Sequence, residues 1–228
     1  MSSASSSAAT EGSSSSSPAR IRQEAADHRK ITVVLNFPQN PSGYTITEAE
    51  AEAIVAILTD IAAGGTYVLA VTDDAYFGLF YEPETLKESI FARLCGAHPG
   101  ILAVKLDGAT KENYVWGLRV GFMTYGGSFD SDAAPLFDAL ERKTAGCIRG
   151  TISNASHLSQ TLLLNSMQDP TNPDEKRATF DILMARAKRV KAVSTDPKYA
   201  AAWTVYPFNA GYFMCLRLKT VDAESLRV

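Results

Sequence analysis

Three short β-branched runs, each ending in polar turn residues, constrain this chain more than any other feature. ITVVLNF (Ile31–Phe37) runs into Pro38-Gln39-Asn40-Pro41-Ser42-Gly43, TYVLAVTDD ends at Asp73 and Asp74, and Ile101–Leu106 leads through a turn to Lys111. Apolar runs of this length bounded by turn chemistry read as buried strands. Between the first two, Thr47-Glu48-Ala49-Glu50 forms a capping box. Ile54, Ile57, Leu58 and Ile61 follow at helical spacing until Gly64-Gly65 stops them. A loop with Pro83 and a short helical stretch around Glu84–Leu94 precede the third run, and Leu118–Tyr125 makes a fourth strand. Strand, helix, strand, helix, strand is the rhythm of a mainly parallel, helix-covered sheet, and the fold class is α/β.

Past Gly126 the pattern turns helical. Pro135–Cys147 and Ala155–Met167 are helix candidates. Asp174–Val193 is a longer one, with Phe180, Leu183, Met184, Ala187 and Val190 on one face and Arg186, Lys188, Arg189 and Lys191 largely on the other. A solvated basic face explains those four charges. Tyr212–Leu218 reads as a strand of a new unit, and Val221 begins a further helix. Met1–Ser17 is almost entirely Ser, Ala, Gly and Thr, too poor in apolar side chains to offset the entropy of ordering. Disorder is predicted there, with order beginning near Ile31.

Composition removes several function classes. A net charge of −3 gives no footprint for nucleic acid, and no apolar run is long enough to span a bilayer. The three cysteines (Cys95, Cys147, Cys215) are widely spaced in apolar or small-residue contexts, which predicts buried, reduced thiols in a cytoplasmic protein. His28, His98 and His157 form no HExxH pair, so no metal site is expected.

Ligands of open α/β sheets bind at the carboxyl ends of the strands. Here those ends carry Asn40, then Asp73 with Tyr76, then Lys111, with Arg119 shortly after. A primary amine can form a Schiff base with an aldehyde, and a guanidinium can grip a phosphate through paired hydrogen bonds. Each residue also has a plainer use: Asn40 in a turn, Asp73 as a strand-end cap, Tyr76 packing with Phe77 and Phe80.

In order, Asn40-Pro41-Ser42-Gly43, Asp73-Asp74-Ala75-Tyr76, Gly108-Ala109-Thr110-Lys111 and Gly117-Leu118-Arg119-Val120-Gly121 resemble the motifs of the class I/II aminotransferases, enzymes of fold type I that use pyridoxal 5'-phosphate. The resemblance covers about Val33 to Leu218. It implies a lysine Schiff base at Lys111, Asp73 against the pyridine nitrogen, Tyr76 and Asn40 on the ring's phenolic oxygen, and Arg119 on the phosphate. Thr110 supplies a hydroxyl where the family's usual serine, three before the lysine, is Gly108 here. Asp107 is expected to point away from the phosphate. The implied parse is a disordered Ser-rich tail over 1–29, a partial large domain over 30–172, and the interdomain helix with the start of a small α+β C-terminal domain over 173–228. It also implies a fragment, truncated at both ends relative to the family, with one sheet edge uncovered and impaired activity on its own.

The implied reaction is transfer of an amino group from an amino acid to a 2-oxo acid, in a protein that is a homodimer when full length. A carbon–sulfur lyase of the same fold would use the same residues. A non-catalytic sensor or dimerisation domain is the other alternative, although residues 1–30 are too polar to form a DNA-binding unit. Arg217 is read as a strand-edge charge.

Overall fold

In a computed structural model, residues 16–227 are described. Strand β1 (Lys30–Asn36), helix α2 (Glu48–Ala63), strand β2 (Tyr67–Asp73), short helix α3 (Ile90–Leu94) and strand β3 (Ile101–Gly108) build the first half, preceded by helix α1 (Ser16–Asp27). A single turn of helix, α4 (Ala109–Glu112), follows β3 directly, and strand β4 (Gly121–Gly126) closes the sheet in the order β1-β2-β3-β4. The first two pairings are parallel and β3–β4 is antiparallel. Helices α5 (Ala134–Thr151), α6 (His157–Gln168) and α7 (Asn172–Ser194) come next. A small antiparallel pair follows, β5 (Trp203–Val205) with β6 (Leu216–Leu218), and then α8 (Ala223–Arg227).

The core lies between one face of the sheet and helices α2 and α3. Ile31 and Leu35 of β1, Val68 and Ala70 of β2, and Ile101 and Ala103 of β3 are buried there, against Leu58 and Ile61 of α2 and Ile90 and Leu94 of α3. Their alternation along each strand is the period of two that a half-covered sheet requires. On the opposite face Val34 of β1 is 64% exposed. Among the described residues neither β1 nor β4 has a strand beyond it, so both edges are unpaired where one open edge was expected.

Helix α1 corrects the expectation of disorder up to residue 29. Ala25 is buried and Ile21, four residues earlier, packs against the core. Arg22 pairs with Asp60 of α2 at 3.3 Å, and the Thr66 hydroxyl donates to the Ala25 carbonyl at 3.1 Å. Two apolar positions spaced by one helical turn suffice once a groove exists to receive them, and composition alone cannot show the groove. Residues 1–15, the rest of the predicted disordered tail, lie outside the described residues.

Four further expectations shift. Helix α3 begins at Ile90, because Ser89 caps it by accepting from the Phe91 N–H and Leu86 N–H is drawn to the Ile46 carbonyl at 2.9 Å. Strand β4 starts at Gly121 and not at Leu118, since Gly117 (φ +100°) and Arg119 (φ +56°) turn the backbone left-handed just before it. Only Leu216–Leu218 of the predicted Tyr212–Leu218 strand is a strand. Its first part is drawn elsewhere, onto the loops of the large sheet. The cysteines are not the buried thiols expected: Cys147 is exposed on α5, and Cys95 and Cys215 are half-buried.

The residues just before that segment, 209–211, are stitched in tightly. Asn209 and Ala210 N–H both donate to the Gly43 carbonyl at 2.9 Å, Gly211 N–H donates to Leu79, and the Asn209 side chain pairs with both backbone groups of Thr45. Gly43 has φ +72°, and a Cβ there would fall on the Phe213 carbonyl oxygen, far inside van der Waals contact. Only glycine accepts both conditions. Gly43→Ala is expected to lower stability by about 2 kcal/mol or more, read as a urea midpoint shift.

The capping box of α2 is formed as its sequence predicts, with Thr47 accepting from Glu50 N–H and Glu50 accepting from Thr47 N–H. Burial pushes the Glu50 carboxyl up, but the hydrogen bonds from the Thr47 N–H, the Tyr44 hydroxyl and the Thr47 hydroxyl outweigh it and hold it below its ordinary value. The Tyr44 phenol is correspondingly pushed up to about 12, by burial first and by Glu50 second. A carboxyl depressed in the folded state contributes stability that is present above its unfolded value and lost as pH falls through its folded value. Stability should therefore fall as pH drops below about 4.5, and the fall should be smaller in Glu50→Gln, as urea unfolding across pH 3–6 would show.

Candidate active site

The parallel register brings the carboxyl ends of β1, β2 and β3 together: Asn36 is opposite Asp73, and Asp73 is opposite Leu106. A cleft of about 520 Å3 opens at that edge. Asn40, Asp73, Tyr76, Thr110, Lys111 and Arg119 all line it. Strand alternation explains the choice of face. Asp73 and Gly108 side positions face the cleft, whereas Asp74 and Asp107 face the other way. Asp107 accepts from Lys105 Nζ at 2.6 Å and is not part of the cleft wall.

Local hydrogen bonds fix the donors. Asn36 bridges the ends of β1 and β2, its Nδ2 donating to the Asp73 carbonyl at 3.2 Å and its Oδ1 accepting from the Asn40 N–H at 3.0 Å. Asn40 Nδ2 in turn donates to the Tyr76 hydroxyl at 3.5 Å. Asp73 Oδ1 accepts from Ala75 N–H at 3.2 Å, closing an Asx turn that starts the Asp73–Tyr76 loop. Burial raises the Tyr76 phenol above its ordinary value, with the Asp73 carboxylate adding to it, so Tyr76 is a neutral donor at pH 7. Lys111 projects from α4, its Nζ 5.4 Å from the centre of the Tyr76 ring and 5.9 Å from that of Tyr212. An ammonium between two ring faces is held by their quadrupoles.

Asn36 and Tyr212 were not anticipated. Asn36 had a visible signal, a polar residue ending an apolar strand. Tyr212 had none, because it arrives from 101 positions beyond Lys111 through the stitched segment and meets Tyr76 edge-on at 5.7 Å, with Phe213 at 5.9 Å. Burial is the main reason that the Tyr212 phenol is also raised. Among the described residues no group of His, Cys, Asp and Glu is placed to hold a metal ion, and no helix is long and apolar enough to cross a membrane.

A model of the family described as aminotransferase class I and II matches residues 18–227, nearly all of the chain. The chain belongs to that family. A probable N-acetyl-LL-diaminopimelate aminotransferase of Bacillus subtilis is 28% identical over 105 residues, which are 46% of this chain and 24% of that protein. An aminotransferase from Anaerococcus prevotii has the same fold with a TM-score of 0.71 at 20% identity, over 86% of this chain and 47% of that one. An aromatic-amino-acid aminotransferase from Burkholderia pseudomallei, solved covalently bound to pyridoxal phosphate, matches with a TM-score of 0.50 at 18% identity, over 71% of this chain and 38% of that one. This aminotransferase-family chain thus spans less than half the length of these relatives. Its fold is that of the family's mixed sheet flanked by helices, present in part.

The family's departure at Gly108 can be tested directly. Gly108 has φ −132°, ordinary extended backbone, and a Cβ there would meet nothing within 4 Å. Gly121 across the ladder has no such room, since its Cβ would lie 2.9 Å from the Asp107 carbonyl oxygen. Gly108→Ser should change stability by less than about 0.5 kcal/mol, whereas Gly121→Ser should lose about 1–3 kcal/mol by urea unfolding.

Proposed function

We propose that this chain is the cofactor-holding part of a pyridoxal 5'-phosphate-dependent aminotransferase, which moves an amino group from an amino acid to a 2-oxo acid. One observation carries the reading: a single cleft brings together a primary amine, a carboxylate, a neutral phenol with an amide beside it, and a guanidinium. That donor set matches the aldehyde, pyridine nitrogen, phenolic oxygen and phosphate of the group. When bound, pyridoxal phosphate supplies an aldehyde that captures amines and a ring that accepts electrons from the substrate α-carbon.

The chain's own residues would then work as follows. Lys111 would hold the aldehyde, and its Nζ is the group that would move a proton at the substrate α-carbon. Asp73 keeps a proton on the ring nitrogen through opposite-charge stabilisation. Tyr76, held neutral, donates to the phenolic oxygen, and Asn40 orients it. Arg119 and the Thr110 hydroxyl take the phosphate, a role that the left-handed turn at Arg119 supports by bringing the start of β4 back to the cleft.

The same reading makes the whole protein a homodimer of the cytoplasm. Support for an interface comes from α5 and α6, where Ile148, Leu158, Leu162 and Leu164 are exposed together with Ile152 just after α5. The three cysteines are unpaired, as suits a reducing compartment.

Mixing the protein with pyridoxal phosphate, reducing with borohydride and mapping the adduct by mass spectrometry tests the assignment. The expected result is one adduct, on Lys111, with none in Lys111→Ala; adducts scattered over surface lysines would sink it. With the adduct in hand, turnover that depends on an added 2-oxo acid separates amino transfer from elimination.

A further inference from the structure

Behind the cleft, on the other face of the sheet, lies a second charged group that the proposed reaction does not use. Asp74 is the residue after Asp73 and is only 4% exposed. Its Oδ2 has no hydrogen-bond partner among the described residues, and Lys105 Nζ lies 3.5 Å from it. The same ammonium donates to Asp107 Oδ1 at 2.6 Å and sits 5.1 Å from the centre of the Phe77 ring. Lys105 and Asp107 side chains are themselves mostly buried. Burial raises the Asp74 carboxyl above its ordinary value, while Ser89 and Lys105 pull it back. Burial opposes the charge on Lys105 too, yet its two carboxylates hold it above its ordinary value.

The register shows what this single cation does. Asp73 is opposite Leu106 in the β2–β3 ladder, and Asp74 N–H donates to the Leu106 carbonyl at 2.9 Å, so Asp74 and Asp107 are cross-strand neighbours on one face. Like charges at that position push strands apart. They stand where β2 delivers Asp73 to the cleft and β3 delivers Gly108, Thr110 and Lys111. Separation of these two strand ends would move Asp73 away from Lys111.

On the reading of the cleft as a pyridoxal phosphate site, we propose that Lys105 is a positioning residue: by bridging Asp74 and Asp107 from behind, it clamps the strand ends that set the spacing of Asp73 and Lys111. Lys105 itself touches neither cofactor nor substrate.

The test uses Lys105→Met, Lys105→Arg and the double variant Lys105→Met with Asp74→Asn. In cofactor-free protein, amide hydrogen exchange over 73–76 and 106–111 should speed up by about tenfold in Lys105→Met, while β1 and the first half of β2 keep their rates. Pyridoxal phosphate binding, followed by absorbance titration, should weaken by about tenfold in the same variant. The double variant should recover both, since it removes one of the two repelling charges, and Lys105→Arg should stay near wild type. Unchanged local exchange, or a uniform rise over the whole chain, would overturn the clamp. So would faster local exchange with unchanged cofactor affinity, or failure of Asp74→Asn to rescue. If the wild-type chain itself binds no pyridoxal phosphate, the proposed function fails, and the exchange data alone still decide for or against the clamp.

Discussion

The in-register parallel pairing of β1, β2 and β3 is the constraint on which the rest of this structure depends. A parallel ladder puts all three carboxyl ends on one edge of the sheet, so residues more than thirty positions apart in sequence finish side by side. Period-two alternation then divides each strand end between two faces. Asp73 goes to the cleft and Asp74 to the back, Gly108 to the cleft and Asp107 to the back. A one-residue slip between β2 and β3 would turn one strand end over and bring either Asp74 or Asp107 round to the cleft side. The buried Ala70 and Ala103 and the fully buried Leu58, Leu94 and Ile101 hold the register by packing.

A second constraint comes from far along the chain. The 209–211 segment lies across the Gly43 turn and the Leu79–Tyr81 loop, tied by backbone hydrogen bonds to both. Those are the loops that follow Asn40 and Tyr76, so the C-terminal third braces the two donors expected at the phenolic oxygen and delivers Tyr212 to the face of Lys111. Helix α7 joins in through Lys176, which donates to the Asn113 side chain at 3.2 Å, and Lys191, which pairs with Glu82 at 2.5 Å. Only the second of these contacts comes from the basic face that the sequence assigns to solvent.

The organisation also leaves sheet edges and apolar side chains exposed. Both sheet edges are unpaired among the described residues, and Val34, Phe122 and Met123 near them are exposed. Exposed edges and apolar side chains together invite pairing with other chains. The chain covers less than half of each relative's length, which fits a sheet present in part.

Most of the elements, and Asn40, Asp73, Tyr76 and Lys111 among the cleft residues, were legible in the sequence because their signals are local, whereas Thr110 and Arg119 were singled out by the resemblance to the family's motifs. A strand needs only β-branched residues in a run, the α2 capping box only Thr47 and Glu50, and a strand-end donor only its place after the run. What the sequence could not show were properties that exist only between distant segments. Ordering of α1 needs the groove that receives Ile21 and Ala25. The short β6 and the role of Tyr212 need the Gly43 turn, which competes for the 209–211 backbone. Lys105, Asp74 and Asp107 read as three ordinary charges until the register makes them neighbours. Local chemistry therefore determined which residues were available, and long-range packing, through register and burial, decided which of them meet.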